Sequence, residues 1–206
     1  MACPIALLAT RVGPMLAGSM VEYPHVRVHL DATNRRVDVI GEGLDVAIRV
    51  RPPPLQDSDL VMRVLADRGQ CLVASPTLLA RHGVPQGPAE LANLPSLDLG
   101  VPQNEHVWHL YGPEGAEATV YHQPRYITRG MLALREAALS GVGIVQLPTM
   151  VVTEHMAKGA LIHLVPQWAP RREIVHAVFA SRRGLLPSVR LLIDYLAERF
   201  ERITED

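Results

Sequence analysis

Helical and extended patterns alternate through the first fifty residues and stop at three consecutive prolines, Pro52 to Pro54. Val12, Met15, Leu16, Met20 and Tyr23 share one face at helical spacing, which predicts a helix over residues 12–23. Pro14 fits its first turn and Pro24 ends it. Residues 25–30 alternate with period two and predict a strand with Val26, Val28 and Leu30 on one face. Thr33 and Asn34 offer a helix N-cap. Val37, Ile40 and Leu44 follow at helical spacing, and Gly41 and Gly43 close that short helix. Residues 44–50 predict a second, buried strand, which Arg51 and the prolines end because proline cannot donate to a ladder. This βαβ rhythm implies a parallel sheet with helices on its faces, and so an α/β fold.

Further along, residues 60–65 and 71–74 predict strands, and Ser75 caps a helix with Pro76 at its first position, ending at His82-Gly83. Residues 107–110 and 118–121 predict two more strands. Thr128 is expected to cap a helix over residues 130–139, closed by Gly141. A buried strand at 143–147 leads to a helix opened by Pro148 that ends near Lys158-Gly159, and strands follow at 161–165 and 174–180. The last helix aligns Val189, Leu192, Ile193, Leu196, Phe200 and Ile203, with Arg190/Asp194 and Glu198/Arg202 spaced as i,i+4 ion pairs.

The 206 residues allow one large domain or two small lobes. Apolar residues make up 48% and charged ones 20%, and the net charge is −1. That balance argues against a surface built to grip phosphate along its length. With only nine aromatic residues, the core must be mostly aliphatic. No apolar run is expected to reach the roughly 18 residues of a membrane span. Arg11, Gly13 and Pro14 interrupt the apolar start, which has no basic lead-in, so a signal peptide is not expected. The reading is a soluble, cytoplasmic protein with no membrane partner.

No nucleophile elbow, Walker loop, dinucleotide fingerprint or paired-histidine zinc motif occurs, so no catalytic residue, enzyme activity or cofactor is expected. Cys3 and Cys71 cannot build a disulfide framework or a cysteine zinc site. His106/His109 and His25/His29 each lack a third ligand nearby, so no metal site is expected. Cys71 lies in an apolar run and reads as a small buried hydrophobe.

Three places suggest ligand chemistry. Cys3 and Pro4 stand at a strand-to-helix turn, where helix N–H groups can meet an anion or the thiol merely packs. Arg49 and Arg51 stand at the carboxyl end of a predicted parallel strand, the edge where open α/β sheets bind ligands; the alternative is a solvated loop charge or a structural ion pair. Arg129 follows the predicted cap Thr128, a place electrostatically unfavourable for a cation without an anionic partner.

Residues 35–49, Arg-Arg-Val-Asp-Val-Ile-Gly-Glu-Gly-Leu-Asp-Val-Ala-Ile-Arg, resemble a signature of LysR-type transcriptional regulators. So do Val73-Ala74-Ser75-Pro76 with Leu79 to Gly83, Leu91-Ala92-Asn93-Leu94, Gly141 to Pro148, and Gly159-Ala160-Leu161. The matches run in order from about Pro4 to Tyr195.

The resemblance implies an effector-binding domain with the type 2 periplasmic-binding-protein-like fold: two α/β lobes joined by two crossover segments, with a ligand cleft between them. Lobe one would be residues 1–70 with 171–206, and lobe two residues 71–170. Carried over, the effector contacts are Cys3, Pro4 and Ile5, then Thr33 and Asn34, and Arg49 and Arg51 in the loop after the second strand. On the other lobe they are Thr128 and Arg129 at a helix start, then Gln146 and Pro148.

A small organic anion is the expected effector, shifting the arrangement of a homodimer or tetramer. The resemblance also places the helix of residues 12–23 near that of residues 130–139 in a partner copy. The family's N-terminal winged helix-turn-helix is absent from this chain, so DNA is expected as a partner only through such a domain. The family usually has glycine where Arg51 stands, and a Phe-Gly pair where Leu7-Leu8 stand. Competing readings are a solute-binding protein of the same fold, an enzyme on a related two-lobe fold, and a ligand-free dimerisation module.

Overall fold

The computed structural model describes residues 1–55, 60–180 and 185–203. The chain forms two compact units: Met1–Arg68 with Glu173–Asp206, and Gly69–Arg172.

The first unit is built on a five-stranded sheet, in the order Asp31–Ala32, Ala2–Cys3, Ala47–Arg51, Glu173–Phe179, Val61–Arg68. Only the first three strands are parallel; Glu173–Phe179 runs antiparallel to both of its neighbours. The sheet is therefore mixed, which corrects the all-parallel expectation. A local βαβ pattern cannot reveal a strand returned from more than a hundred residues away.

Three local expectations fail here. No ladder forms over residues 25–30, although Val26, Val28 and Leu30 do alternate in burial. Pairing with Ala2–Cys3 begins only at Asp31. No helix forms over residues 33–44. Asp38 Oδ1 accepts from the N–H groups of Ile40 and Gly41, while Glu42 accepts from the Asp38 N–H and pairs with Arg35. These side-chain bonds hold a turn in place of a helix. Val37 and Val39 are then the buried pair, and Ile40 is 62% exposed.

The first helix does not start at Val12. It runs through Ile5–Glu22, with a π-turn at Leu8–Val12. Pro14, expected in a first turn, sits mid-helix, where its missing N–H leaves Thr10 without an i+4 donor. Gly13 N–H reaches back five residues to Leu8 O, so the chain takes up the proline by widening one turn.

Over its 18 residues this helix has a mean hydropathy of 1.2, long and apolar enough to cross a membrane by length and composition. That corrects the expectation that no segment reaches such a length. Leu7, Val12, Met15 and Leu16 bury into this unit, while 28% of the helix as a whole is buried. Gly18 marks the contact with the last helix: a Cβ there would lie 2.7 Å from Tyr195 Oη.

The last helix, Pro187–Glu201, buries Val189, Leu192, Ile193, Leu196 and Phe200 as its spacing predicts and packs on Val61–Arg68, but it ends before Ile203, which is only half-buried. Glu198 and Arg202 pair, but Asp194 pairs with Arg63 on the neighbouring strand in place of Arg190.

The second unit holds three small sheets. Gln70–Ala74 is flanked antiparallel by Val145–Pro148 and Ile162–Leu164. His106–Tyr111 is flanked antiparallel by Glu117–His122 and Ala169–Pro170. Ser96–Leu99 and Pro124–Thr128 are parallel, and Ile144 bridges to Ser96 in the same sense. Leu72, Leu78, Leu91, Trp108, Leu110 and Leu164 belong to one buried cluster between these elements.

Ser75 caps the helix Pro76–His82 as expected, accepting from the Leu78 N–H at 3.3 Å. Ser75→Ala should therefore cost about 1 kcal/mol, read as a lowered denaturant midpoint. Thr128 is not a cap. It ends a strand, Gly130 is the cap residue of Met131–Leu139, and the Thr128 hydroxyl accepts from the Gly130 N–H at 3.2 Å. Arg129 is thus a connecting residue between strand and helix.

Candidate functional site

The parallel strands of the first unit end together. The register Ala2↔Ala47 and Cys3↔Ala32 brings the residues after Cys3 and Ala32 to the same carboxyl edge. There Thr33 N–H donates to Cys3 O at 3.0 Å, and Asn34 Oδ1 accepts from the Ile5 N–H at 3.1 Å. Cys3, Pro4, Ile5, Thr33 and Asn34 therefore form one cluster. The Ile5 N–H expected to face an anion is already capped by Asn34. Cys3 is buried, which pushes its thiol up to about 12, so it stays protonated and packs.

Arg49 and Arg51 are not in a loop; they belong to the strand Ala47–Arg51. Period two points them to the same face. The antiparallel register sets His176 opposite Arg49 and Ile174 opposite Arg51. Arg36, Arg49, Arg51 and His176 line one pocket of about 550 Å³. Arg49 donates to Val37 O at 3.1 Å, while its Nε is buried without a hydrogen-bond partner among the described residues.

Burial and the neighbouring Arg36 and Arg51 pull the Arg49 guanidinium below its usual range. Burial, with Arg49 and Arg51 adding to it, lowers the His176 imidazole. Arg49 and His176 thus both feel the neighbouring guanidiniums, the electrostatic mark of a site rich in positive charge. Sequence reading missed Arg36 and His176. Arg36 was visible inside the signature, but His176 joins through a strand pairing of long range that leaves no local signal.

In the second unit, Thr128 pairs with Leu99 at the carboxyl edge of the parallel layer, and Val145–Pro148 continues from the bridge at Ile144. Gln146 donates to Gln70 Oε1 at 2.9 Å, and Gln70 Nε2 to Arg171 O at 3.2 Å. Pro148 ends the strand and is the cap residue of the helix Thr149–Ala157.

A polar cluster that sequence reading did not find lies in this unit's core. His106 Nδ1 meets Asp98 Oδ2 at 2.5 Å, His122 Nδ1 meets Ser96 Oγ at 2.9 Å, and the His122 ring stacks 3.7 Å from Trp108. Among the described residues no three His, Cys, Asp or Glu side chains gather as metal ligands.

The family model described as the LysR substrate binding domain matches residues 1–201. The chain belongs to the LysR substrate binding domain family. This LysR substrate binding domain is 30% identical over 202 residues to the HTH-type transcriptional activator AaeR of Escherichia coli K12, covering 98% of the chain and 64% of AaeR. It is 31% identical over 188 residues to the HTH-type transcriptional regulator CrgA of Neisseria meningitidis, covering 91% of the chain and 62% of CrgA.

The solved CrgA regulatory domain superposes with a TM-score of 0.83 at 28% identity, covering 97% of this chain and 98% of that one. Full-length AphB of Vibrio cholerae, a virulence activator, gives 0.83 at 25% identity, over 96% of this chain and 66% of AphB. The domain therefore has the type 2 periplasmic-binding-protein-like fold of LysR regulatory domains, and the effector-domain reading is favoured over a solute-binding protein or a ligand-free module. It spans slightly under two thirds of the curated relatives it matches.

Proposed function

We propose that this domain binds a small organic anion on behalf of a LysR-type transcriptional regulator working in the cytoplasm. The effector would be held without covalent chemistry and would shift the balance between arrangements of a dimer or tetramer. DNA would be contacted only by a helix-turn-helix domain outside this sequence.

The observation that carries the anionic class is the group of guanidiniums at Arg36, Arg49 and Arg51, none ion-paired among the described residues. The planar fork of arginine suits a carboxylate. We assign effector contact to the edge at Cys3, Pro4, Ile5, Thr33 and Asn34, to Arg49 and Arg51, and to the second unit's Thr128, Arg129, Gln146 and Pro148. Supporting this choice, Cys3, Ala32 and Arg51 in the first unit and Thr128 in the second end strands with parallel partners, the edge where α/β sheets bind ligands.

Titration calorimetry against a panel of carboxylates and their neutral amides tests the class. Heat is expected from carboxylates, weakening as salt is raised, and none from the amides. Binding confined to neutral compounds would overturn the anionic reading.

A further inference from the structure

Resting on that reading, we infer that the first unit by itself carries a binding pocket for a monocarboxylate with an apolar body, its head on Arg36, Arg49 and Arg51. The pocket has two kinds of wall. One is cationic, formed by the three arginines with His176 beside them. The other is apolar, formed by Pro53, Leu60, Met62 and Val178. At about 550 Å³ it falls within the range of small-molecule sites, roughly 300–1,000 Å³.

The sheet dictates this division. Arg49 and Arg51 share a face with Ala47, and Ala47 pairs with Val178, which in turn pairs with Met62. The face is therefore apolar at the Ala47 end and basic at the Arg51 end. The prolines that stop the strand close the basic end with side chains that offer no donor.

Charge sets the valence of the ligand. Asp38 lies near enough to Arg49, and Glu173 near enough to Arg51, to influence those groups. These two carboxylates reduce the surplus positive charge of the basic wall, which favours a singly charged head over a more highly charged one. Arg49 Nε, buried and without a hydrogen-bond partner among the described residues, is a donor that a carboxylate oxygen would satisfy. His176 gives its Nδ1 hydrogen to Ile174 O at 3.2 Å, so its neutral ring lines the pocket without donating to the carboxylate, and the guanidiniums supply the donors. Inorganic phosphate would meet the basic wall but gain nothing from the apolar one, and acetate is too short to reach it.

The test is amide chemical-shift mapping on this chain with hexanoate as the probe, and with acetate, phosphate and hexanamide as comparisons. Hexanoate is expected to shift the amides of residues 36, 49–51, 62 and 176–178, with acetate and phosphate binding at least tenfold more weakly. Arg51→Gln and Arg36→Gln should each weaken hexanoate about tenfold or more, the scale of losing a charge-assisted hydrogen bond. Arg125→Gln removes one exposed charge from the second unit and should leave the affinity unchanged. Circular dichroism checks that each variant is folded.

Shifts confined to residues 3–5, 33–34, 128–129 or 146–148 would overturn this pocket and leave the anionic-effector reading standing. No pocket shift with hexanoate overturns it whatever else binds. A response to hexanamide alone would overturn both.

Discussion

Replacing Gly143 by alanine is expected to destabilise the second unit by about 2–3 kcal/mol, the upper part of the range for overpacking a filled core. A Cβ at this position would lie 2.8 Å from Pro95 O, 3.0 Å from Pro95 C and 3.1 Å from Ser96 C. These are backbone atoms, so they cannot swing aside as a side chain would. They also form the ladder that places the next strand: Ile144 N–H donates to Pro95 O at 2.8 Å, and Leu97 N–H to Ile144 O at 2.9 Å. Room for the methyl group must come from opening that ladder.

Gly159→Ala is the comparison. Gly159 has φ +69° and nothing within 4 Å of its missing Cβ, so only backbone strain of about 1 kcal/mol is expected there. Both tryptophans, Trp108 and Trp168, belong to this unit, so the urea midpoint of tryptophan fluorescence reads it directly. A Gly143→Ala midpoint no lower than that of Gly159→Ala would refute the wedge.

How far the sequence announced this architecture depends on the range of the force that decides each element. Ser75-Pro76, Pro148 and the apolar face of the last helix are settled by neighbours within one or two turns, and all stand where spacing puts them. The turn at residues 38–42 defeated the same reasoning. Val37, Ile40 and Leu44 keep helical spacing, but Asp38 and Glu42 satisfy the backbone N–H groups that a helix would otherwise engage. Spacing reports burial and is blind to such competition.

The site shows the same division. Arg49 and Arg51 were legible because they sit on a strand whose end the prolines mark. His176 was not, because only the pairing of Glu173–Phe179 with Ala47–Arg51 brings it beside them. Nor was the contact of Asp98 with His106, or of Ser96 with His122, since each crosses from one small sheet to another.

That buried cluster should make the second unit acid-labile. His122 is buried, and desolvation pulls its imidazole from 6.5 down to about 4, with His106 adding to the fall and Asp98 opposing it. One ring nitrogen meets Ser96; Nε2 is buried with no hydrogen-bond partner among the described residues. A charged ring would keep the Nε2–H buried with no acceptor among the described residues to receive it.

Between about pH 6.5 and 4 the unfolded chain binds the proton and the folded one refuses it. Stability is thus complete above that window and is lost on acidification through it, by about 3 kcal/mol in all. His163 and His176, lowered by burial, act in the same direction. Glu173, raised by burial, opposes them. The exposed Glu42, held at about 2 first by its bond to Arg35, loses its contribution only below about 4.5, so its effect falls mainly on the acid side of the window.

His122→Phe combined with Ser96→Ala keeps the ring stacked on Trp108 and leaves no buried hydroxyl unpaired. Fluorescence-detected urea unfolding at steps from pH 7.5 to 4.5 should show a falling midpoint for the natural chain and a much flatter one for the double variant. Equal slopes for the two proteins would remove His122 as the cause.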